Sequence, residues 1–193
     1  MASAIQQKNT SSGVHPLKFA LWLIIISIIM MFAAFTSAYI VRKEEGNWLE
    51  YALPDNLVLN TVFIVLSSVT MQWAFNTARK DNLRQVKLAL LLTMILGISF
   101  LVGQWDAWVD LVGRKIFFGG ADANPSGSFL YVLMGVHGFH LVTGLIFVLI
   151  VLISSLKFKV HSRNLLRIEL CSVYWHFLTG LWLYLYLFLT LNH

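Results

Sequence analysis

Ionisable side chains inside the long apolar segments of this sequence are costly, and they are therefore candidates for function. In the segment GVHGFHLVTG, His137 and His140 share one helix face with Gly144. Glu169 and His176 lie along a second such stripe, in the next apolar segment. Neutral imidazole binds iron, copper or zinc, and an intramembrane carboxylate can move protons. We expect the two stripes to pair as a polar seam between adjacent helices, and this seam is the first candidate site.

A metal or haem site is one interpretation of the seam, and structural hydrogen bonding is the other. A diiron membrane oxygenase needs more histidines than the six present. Three of those six fall in tails or loops, namely His15, His161 and His193. Haem held by two histidines would need a pair across helices, His137 or His140 with His176. The sequence therefore predicts structural histidines and no bound metal, with Glu169 hydrogen-bonded to His137 or His140.

The helices that position these side chains follow from composition. Hydrophobic residues make up 58% of the chain and charged residues 12%, whereas a globular domain carries about a quarter charged residues. A bilayer core about 30 Å thick takes about 20 apolar residues in a helix. Five such runs predict helices over residues 17–41, 56–78, 86–109, 127–156 and 166–191. The fold class is therefore all-α, a polytopic bundle of five transmembrane helices forming one membrane domain, 17–193, after a disordered tail, 1–16.

Close contact between these helices needs small residues, and large aromatic rings fill the space beside them. Candidate packing residues of both kinds lie in the fourth and fifth segments: Gly135, Gly138, Gly144, Trp175 and Trp182. The single cysteine, Cys171, excludes an intramolecular disulfide and a cysteine-based metal cluster. We expect it to be a small buried residue.

The net charge of +5 indicates membrane topology rather than a nucleic-acid partner, because the basic residues are spread among loops. Ten lie on one side of the predicted bundle: Lys8, Lys18, Arg79, Lys80, Arg84, Lys87, Lys157, Lys159, Arg163 and Arg167. Four lie on the other side: Arg42, Lys43, Arg114 and Lys115. The positive-inside rule predicts a cytoplasmic N-terminus, and an odd number of spans then places the C-terminus in the periplasm.

Two stretches of the sequence resemble a known family. The GxHGxH core of residues 135–140, and YWHF at 174–177 followed by Trp182, closely resemble subunit III of haem-copper oxidases. Within that family, the sequence resembles the five-helix bacterial form of cytochrome c oxidase subunit III. The first apolar segment agrees, since FAAFTSAY at 32–39 is similar to the first helix of that form. The resemblance covers nearly the whole chain.

The resemblance implies an accessory role in aerobic electron transport. Subunit III has no catalytic centre of its own and binds no redox metal, because the haem and copper belong to its partner subunits. It packs against the catalytic subunit I, in a complex with subunit II that reduces oxygen and pumps protons. It also holds phospholipid in a cleft between its helices. The resemblance places the chain in the bacterial plasma (inner) membrane, with His140 and Lys157 as candidates for lipid binding.

Two positions depart from the family pattern. Ile28 and Thr179 stand where relatives often carry carboxylates, which favours structural support over proton conduction. The equivalent subunit of a quinol oxidase and the accessory protein of nitric oxide reductase stay open as alternatives. A small transporter using His137, His140 and Glu169 is an alternative from another class, and it would show inverted repeats and broken helices. The electron donor, the haem types, the bound lipids and membership of a larger respiratory supercomplex are left open.

Overall fold

The computed structural model describes residues 15–46, 48–49, 51, 54, 56–120, 124–156 and 165–192. Regular structure in these ranges is helical throughout: α1 Pro16–Glu44, α2 Asn56–Ala78, α3 Leu83–Gly113, α4 Pro125–Leu156 and α5 Leu166–Asn192. All five helices are long and apolar enough to cross a membrane. The predicted all-α bundle of five transmembrane helices is confirmed. Pro16, the last residue of the predicted tail, begins α1, and residues 1–14 lie outside the described ranges.

Side-chain caps make two helices begin earlier than the sequence predicted. Asn82 accepts the Gln85 amide through its side chain at 3.3 Å, and α3 therefore begins at residue 83 rather than 86. Pro125 suits the first turn of α4 because it has no amide that would need a partner. Asn124 accepts the Ser126 amide at 3.0 Å, so α4 begins at residue 125 rather than 127.

Four helices form a closed ring in which each contacts two neighbours, in the order α2, α3, α4, α5. Helix α1 packs outside this ring, against α4 and α5. Its buried residues recur every three or four positions and form one stripe: Ile25, Ile28, Phe32, Thr36 and Tyr39. The other apolar residues of α1 are largely exposed, so this helix presents most of its circumference to the membrane or to another chain.

Trp175 of α5 joins the four helices of the ring. Its side chain is buried and lies against Gly97 of α3 and Gly144 of α4. A Cβ atom on Gly97 would lie 2.9 Å from Cη2 of this ring, and one on Gly144 would lie 3.3 Å from Cε3. The indole Nε1 donates to Ser67 Oγ of α2 at 3.0 Å. One side chain therefore contacts all three other helices of the ring.

Trp182, two turns farther along α5, also bonds to α2, since its Nε1 donates to Thr61 Oγ1 at 3.0 Å. The glycines predicted to pack in α4 are not equivalent. A Cβ on Gly135 would make an ordinary contact of 3.7 Å, and one on Gly138 would meet no atom within 4 Å. Of these three glycines, only Gly144 lies in a contact too close for a larger side chain.

The bundle has a Lys18 end and an Asn192 end. At the Lys18 end the first turns of α1 and α5 meet through an ion pair between Lys18 and Glu169. At the Asn192 end, Lys43 and Tyr39 of α1 donate to the main-chain oxygen of Asn192 at 2.6 and 3.4 Å. Because both ends of α1 meet the corresponding ends of α5, these two helices run parallel.

The chain between α1 and α2 covers the Asn192 end with aromatic rings. The Trp48 ring lies 4.7 Å from that of Tyr39, centroid to centroid, and the Leu49 amide donates to Asn124 Oδ1 at 3.3 Å. Tyr51 packs against the hydrophobic core of the bundle, and burial raises its pKa to about 12. Its phenol therefore stays neutral at physiological pH, as its apolar surroundings require.

We expect Gly97→Ala to destabilise the bundle. The added methyl would lie 2.9 Å from both Trp175 and Leu145. Overpacking of this kind costs about 1–3 kcal/mol, which exceeds the gain of up to about 1 kcal/mol from replacing a helical glycine. Thermal unfolding of the detergent-solubilised protein measures the difference.

Gly138→Ala is the matched control, because its methyl would meet no atom within 4 Å. Its melting temperature should equal or exceed that of the wild type. Equal melting temperatures for the Gly97 and Gly138 variants would contradict the close contact at Trp175.

Candidate functional site

The structure places His137 at the centre of the bundle. Its side chain is fully buried, and its ring centroid lies 5.2 Å from that of Trp182 and 6.0 Å from that of Phe100. Within the described part of the chain, neither ring nitrogen has a hydrogen-bond partner. His137 is therefore a packed ring between α3, α4 and α5, and the hydrogen bond predicted for it is wrong.

His140 lies one turn farther along α4, on the side that faces α1. Its Nδ1 lies 2.7 Å from the main-chain oxygen of Val136, and since a carbonyl only accepts, this nitrogen carries a proton. In the neutral ring, Nε2 is then an acceptor. The ring packs edge-on against Phe32 of α1, with 6.1 Å between centroids. His140 thus belongs to the contact between α4 and α1.

Glu169 pairs with Lys18 of α1, with 2.5 Å between a carboxylate oxygen and Nζ. The prediction that it bonds His137 or His140 is therefore wrong. Glu169 lies in the first turn of α5, whereas the two histidines lie near the middle of α4. The first turn of α1 meets Glu169 at the Lys18 end. Both side chains of the ion pair are 37% exposed, so the pair contributes no more than about 1 kcal/mol.

His176 connects α5 to α2. Its Nδ1 lies 2.6 Å from Ser68 Oγ, and its Nε2 lies 2.9 Å from Gln72 Oε1. Since an amide oxygen only accepts, Nε2 donates, and in the neutral ring Nδ1 accepts from the serine hydroxyl. The four residues predicted as one seam thus face different neighbours. Among the residues that the structure describes, no three of His, Cys, Asp and Glu lie close enough to hold a metal ion.

A lateral groove lies between α1 and the α4–α5 pair, and we call it the α1 groove. Its volume is about 540 Å³ and its lining is mainly apolar. The lining residues are Leu21, Leu23, Ile24, Ser27, Ile28, His140, Thr143, Phe147 and Tyr174. The hydroxyl groups of Thr143 and Tyr174 bond each other at 2.9 Å, and Ser27 donates to its own helix. His140 Nε2 has no partner in the described ranges and is the polar atom left for a ligand.

The α1 groove runs from the Lys18 end to the middle of the bundle. Leu21 lies one turn from Lys18, and His140 lies halfway along α4, a helix of 32 residues. At 1.5 Å per residue, His140 is about 24 Å from either end of α4. A bilayer core is about 30 Å thick, so this is the depth of acyl chains. Lys157, the other predicted lipid candidate, lies outside the described residues.

The two departures from the family pattern have different surroundings. Ile28 is buried and forms part of the wall of the α1 groove, which holds no acidic side chain among its described lining residues. Thr179 donates to the main-chain oxygen of Trp175 at 3.1 Å, within its own helix. The α1 groove is therefore an uncharged surface in this chain.

Sequence reasoning missed the polar residues of α2 that bond to α5. These are Thr61, Ser67, Ser68 and Gln72, which meet Trp182, Trp175 and His176. A signal was present, because residues 61, 68 and 72 recur at spacings of seven and four and so share one helix face. This spacing does not indicate which neighbouring helix the face meets.

Comparison with known proteins gives the family. A family model described as "Cytochrome c oxidase subunit III" matches residues 1–192. The chain is 32% identical over 199 residues to cytochrome c oxidase subunit 3 of Pelomedusa subrufa, which covers 96% of this chain and 73% of that protein. It is 29% identical over 202 residues to the protein of the same name from Rattus norvegicus, with 94% and 74% covered.

A third relative is a subunit of a ubiquinol oxidase. The chain is 27% identical over 184 residues to cytochrome bo(3) ubiquinol oxidase subunit 3 of Buchnera aphidicola subsp. Schizaphis graminum, which covers 90% of this chain and 93% of that protein. The resemblance carried by the GxHGxH and YWHF stretches is confirmed. Since the family model spans nearly all of a chain with five membrane-crossing helices, the protein belongs to the cytochrome c oxidase subunit III family, whose members are subunits of haem-copper oxidase complexes.

Proposed function

We propose that this chain is the non-catalytic subunit III of a respiratory cytochrome c oxidase, where it stabilises the catalytic subunit and binds phospholipid. Its direct partner is subunit I, in a complex that also contains subunit II, and the haem and copper belong to those partners. Family membership supports this role. The lipid part of the proposal depends on one observation, the apolar α1 groove on the side of the bundle.

The α1 groove suits the acyl chain of a phospholipid. Its volume of about 540 Å³ is that of an ordinary ligand pocket, and its apolar walls run inward from the Lys18 end. A phosphate needs hydrogen-bond donors near the membrane surface, whereas His140 lies at the depth of acyl chains and its Nδ1 proton is already donated to Val136. We therefore assign His140 to the wall that contacts the acyl chain, and the headgroup to the Lys18 end.

Helix α1 is held near both of its ends, and the α1 groove lies between these two attachments. Thr36 and Tyr184 bond each other at 3.1 Å on the Asn192 side of the groove, and Lys18 pairs with Glu169 on the other side. The ion pair lies one helical turn beyond Leu21, the lining residue of the α1 groove nearest to the Lys18 end. It presents one positive and one negative charge there, which complement the phosphate and the amine of a zwitterionic headgroup.

We place the Lys18 end in the cytoplasm of a bacterial cell whose plasma membrane the chain spans. Six described basic residues lie at or near this end: Lys18, Arg79, Lys80, Arg84, Lys87 and Arg167. The described basic residues near the other end are Arg42, Lys43, Arg114 and Lys115. Ion pairs with Glu45 and Asp110 offset two of these charges, and the pair with Glu169 offsets one at the Lys18 end. The excess of positive charge at the Lys18 end supports this orientation.

A quinol oxidase is the second candidate, because the Buchnera ubiquinol oxidase subunit matches this chain in length. The alignment covers 93% of that protein, compared with 73% of the Pelomedusa cytochrome c oxidase subunit. The two candidates differ in subunit II, since a cytochrome c oxidase carries a dinuclear copper site there and a quinol oxidase does not.

Purification of the affinity-tagged chain in mild detergent should bring down a haem-containing partner. The optical haem spectrum measures this, and the untagged strain is the control. Electron paramagnetic resonance of the dinuclear copper should then show cytochrome c as the donor, whereas haem without this copper signal would select the quinol oxidase. A tagged chain that purifies alone and without haem contradicts the proposed function.

Ser27→Phe should reduce the phospholipid bound by the purified complex, because a phenyl ring at this position fills the α1 groove. Phosphate analysis after detergent washing measures the lipid, and the haem spectrum should not change. Ile26→Phe is the matched control, since Ile26 is exposed on the same helix but lies outside the groove. Equal lipid content in the two variants would reject the lipid site and leave the assignment as subunit III intact.

Glu169→Gln should loosen α1 slightly, by no more than about 1 kcal/mol, since the ion pair with Lys18 is partly exposed. High salt should remove the difference from the wild type. Thermal unfolding at low and high ionic strength measures it. Glu45→Gln is the control, because it breaks an exposed ion pair with Arg42 between neighbouring turns rather than between two helices, and it should lower the unfolding temperature less than Glu169→Gln does. An altered haem spectrum in a fully assembled Glu169 variant would contradict a purely structural role.

A further inference from the structure

A second groove lies between α2 and α3, on the side of the ring opposite to α4 and α5. We call it the α2–α3 groove. Its volume is about 400 Å³, and it shares no lining residue with the α1 groove. Four of its lining residues are polar, although polar groups facing lipid are costly: Asn56, Asn60, Ser99 and Asp106.

The outer part of the α2–α3 groove carries a negative charge. Asp106 is exposed, and within the described ranges no ion pair or hydrogen bond reaches its carboxylate. Asp110, one turn along the same helix, is instead paired with Arg114 at 2.8 Å. Asp106 lies about 10 Å from the end of α3, close to the level where a bilayer core about 30 Å thick meets the headgroups. A carboxylate at this level favours a cationic partner.

Asn60 supplies a hydrogen-bond donor about one turn deeper in the groove. It is 1% exposed, and its Nδ2 has no partner among the residues that the structure describes. Gly103 makes room for this side chain, because a Cβ at Gly103 would collide with the Asn60 amide. The amide therefore lies against the backbone of α3, on the floor of the groove. A buried donor of this kind is stabilised by a ligand oxygen at the same level.

Farther inward the α2–α3 groove is mainly apolar, and the one polar lining residue there, Ser99, donates to the main-chain oxygen of Ile95 at 3.0 Å. Phe63 and Ile98 line its deeper part, and Leu59 and Val102 form its exposed walls. The order of groups from the membrane surface inward is thus a carboxylate, an amide donor and an apolar channel. A phospholipid with an amino headgroup has the complementary order, since its ammonium is outermost, its phosphate and ester oxygens follow, and its acyl chains are innermost.

We propose that the α2–α3 groove binds an aminophospholipid, with its primary ammonium on Asp106, an oxygen of the phosphate or ester accepting from Asn60, and an acyl chain along Phe63 and Ile98. A primary ammonium donates hydrogen bonds to the carboxylate, whereas a choline headgroup has no N–H and a glycerol headgroup has no positive charge. A basic side chain of another subunit would pair with Asp106 but would leave the amide donor and the apolar channel unused.

Lipid retention by the purified complex tests the proposal. The complex is reconstituted in nanodiscs of phosphatidylethanolamine and phosphatidylglycerol, and native mass spectrometry measures the bound lipids. Asp106→Asn should lower retained phosphatidylethanolamine about fivefold, as expected for the loss of one partly exposed charged contact. Phosphatidylglycerol should not change. Asp110→Asn is the matched control, because it removes the same charge one turn away, outside the groove, and should retain the wild-type amount.

Val102→Trp provides an independent variant, since it fills the groove without changing its charge and should also lower the retained phosphatidylethanolamine. Retention at the wild-type level in both the Asp106 and the Val102 variants would overturn the proposal. An equal loss of both lipids in Asp106→Asn would do the same. So would a carbodiimide cross-link between Asp106 and a lysine of another subunit, because it would show that a protein cation occupies the site.

Discussion

The indole of Trp175, held between Gly97 and Gly144 and bonded to Ser67, sets the spacing of the four-helix ring. Lipid tails are as apolar as helix surfaces, so burial of apolar area gives helices little reason to associate within a bilayer. Close packing and hydrogen bonds must hold the helices together instead. The indole fills the space beside two glycines, and its N–H needs an acceptor because no water is at hand. Both requirements are met only when α2, α3 and α4 take their places around α5.

The same requirement explains why α1 is attached differently. Its sequence contains no glycine, and it meets α4 and α5 through large side chains such as Ile28 and Phe32. Large side chains hold helix axes apart, and the α1 groove is the space that remains beside the contact. On the opposite side of the ring, Gly103 allows α2 to approach α3, and Asn60 fills the space that a Cβ would take. One bundle thus presents an uncharged groove on one side and an acidic groove, at Asp106, on the other.

What could be predicted from the sequence depends on whether a property belongs to one helix or to a pair. Each apolar run belongs to one segment, so the number of helices was correct, and the observed bounds lie within four residues of the predicted ones. The helical repeat also marks which side chains share a face. It does not say which neighbour that face meets, and Glu169 therefore pairs with Lys18 rather than with a histidine. His140 could be singled out as a polar residue in an apolar run, but its groove could not, because one wall comes from α1.

The bonds that fasten α1 bear on the order in which the protein assembles. They join residues that are 148 to 153 positions apart, from Lys18 with Glu169 to Tyr39 with Asn192. A chain is synthesised from its N-terminus, so α1 is made well before its partners in α5. The contact between α1 and α5 is therefore completed only after α5 has been inserted, late in the assembly of the bundle.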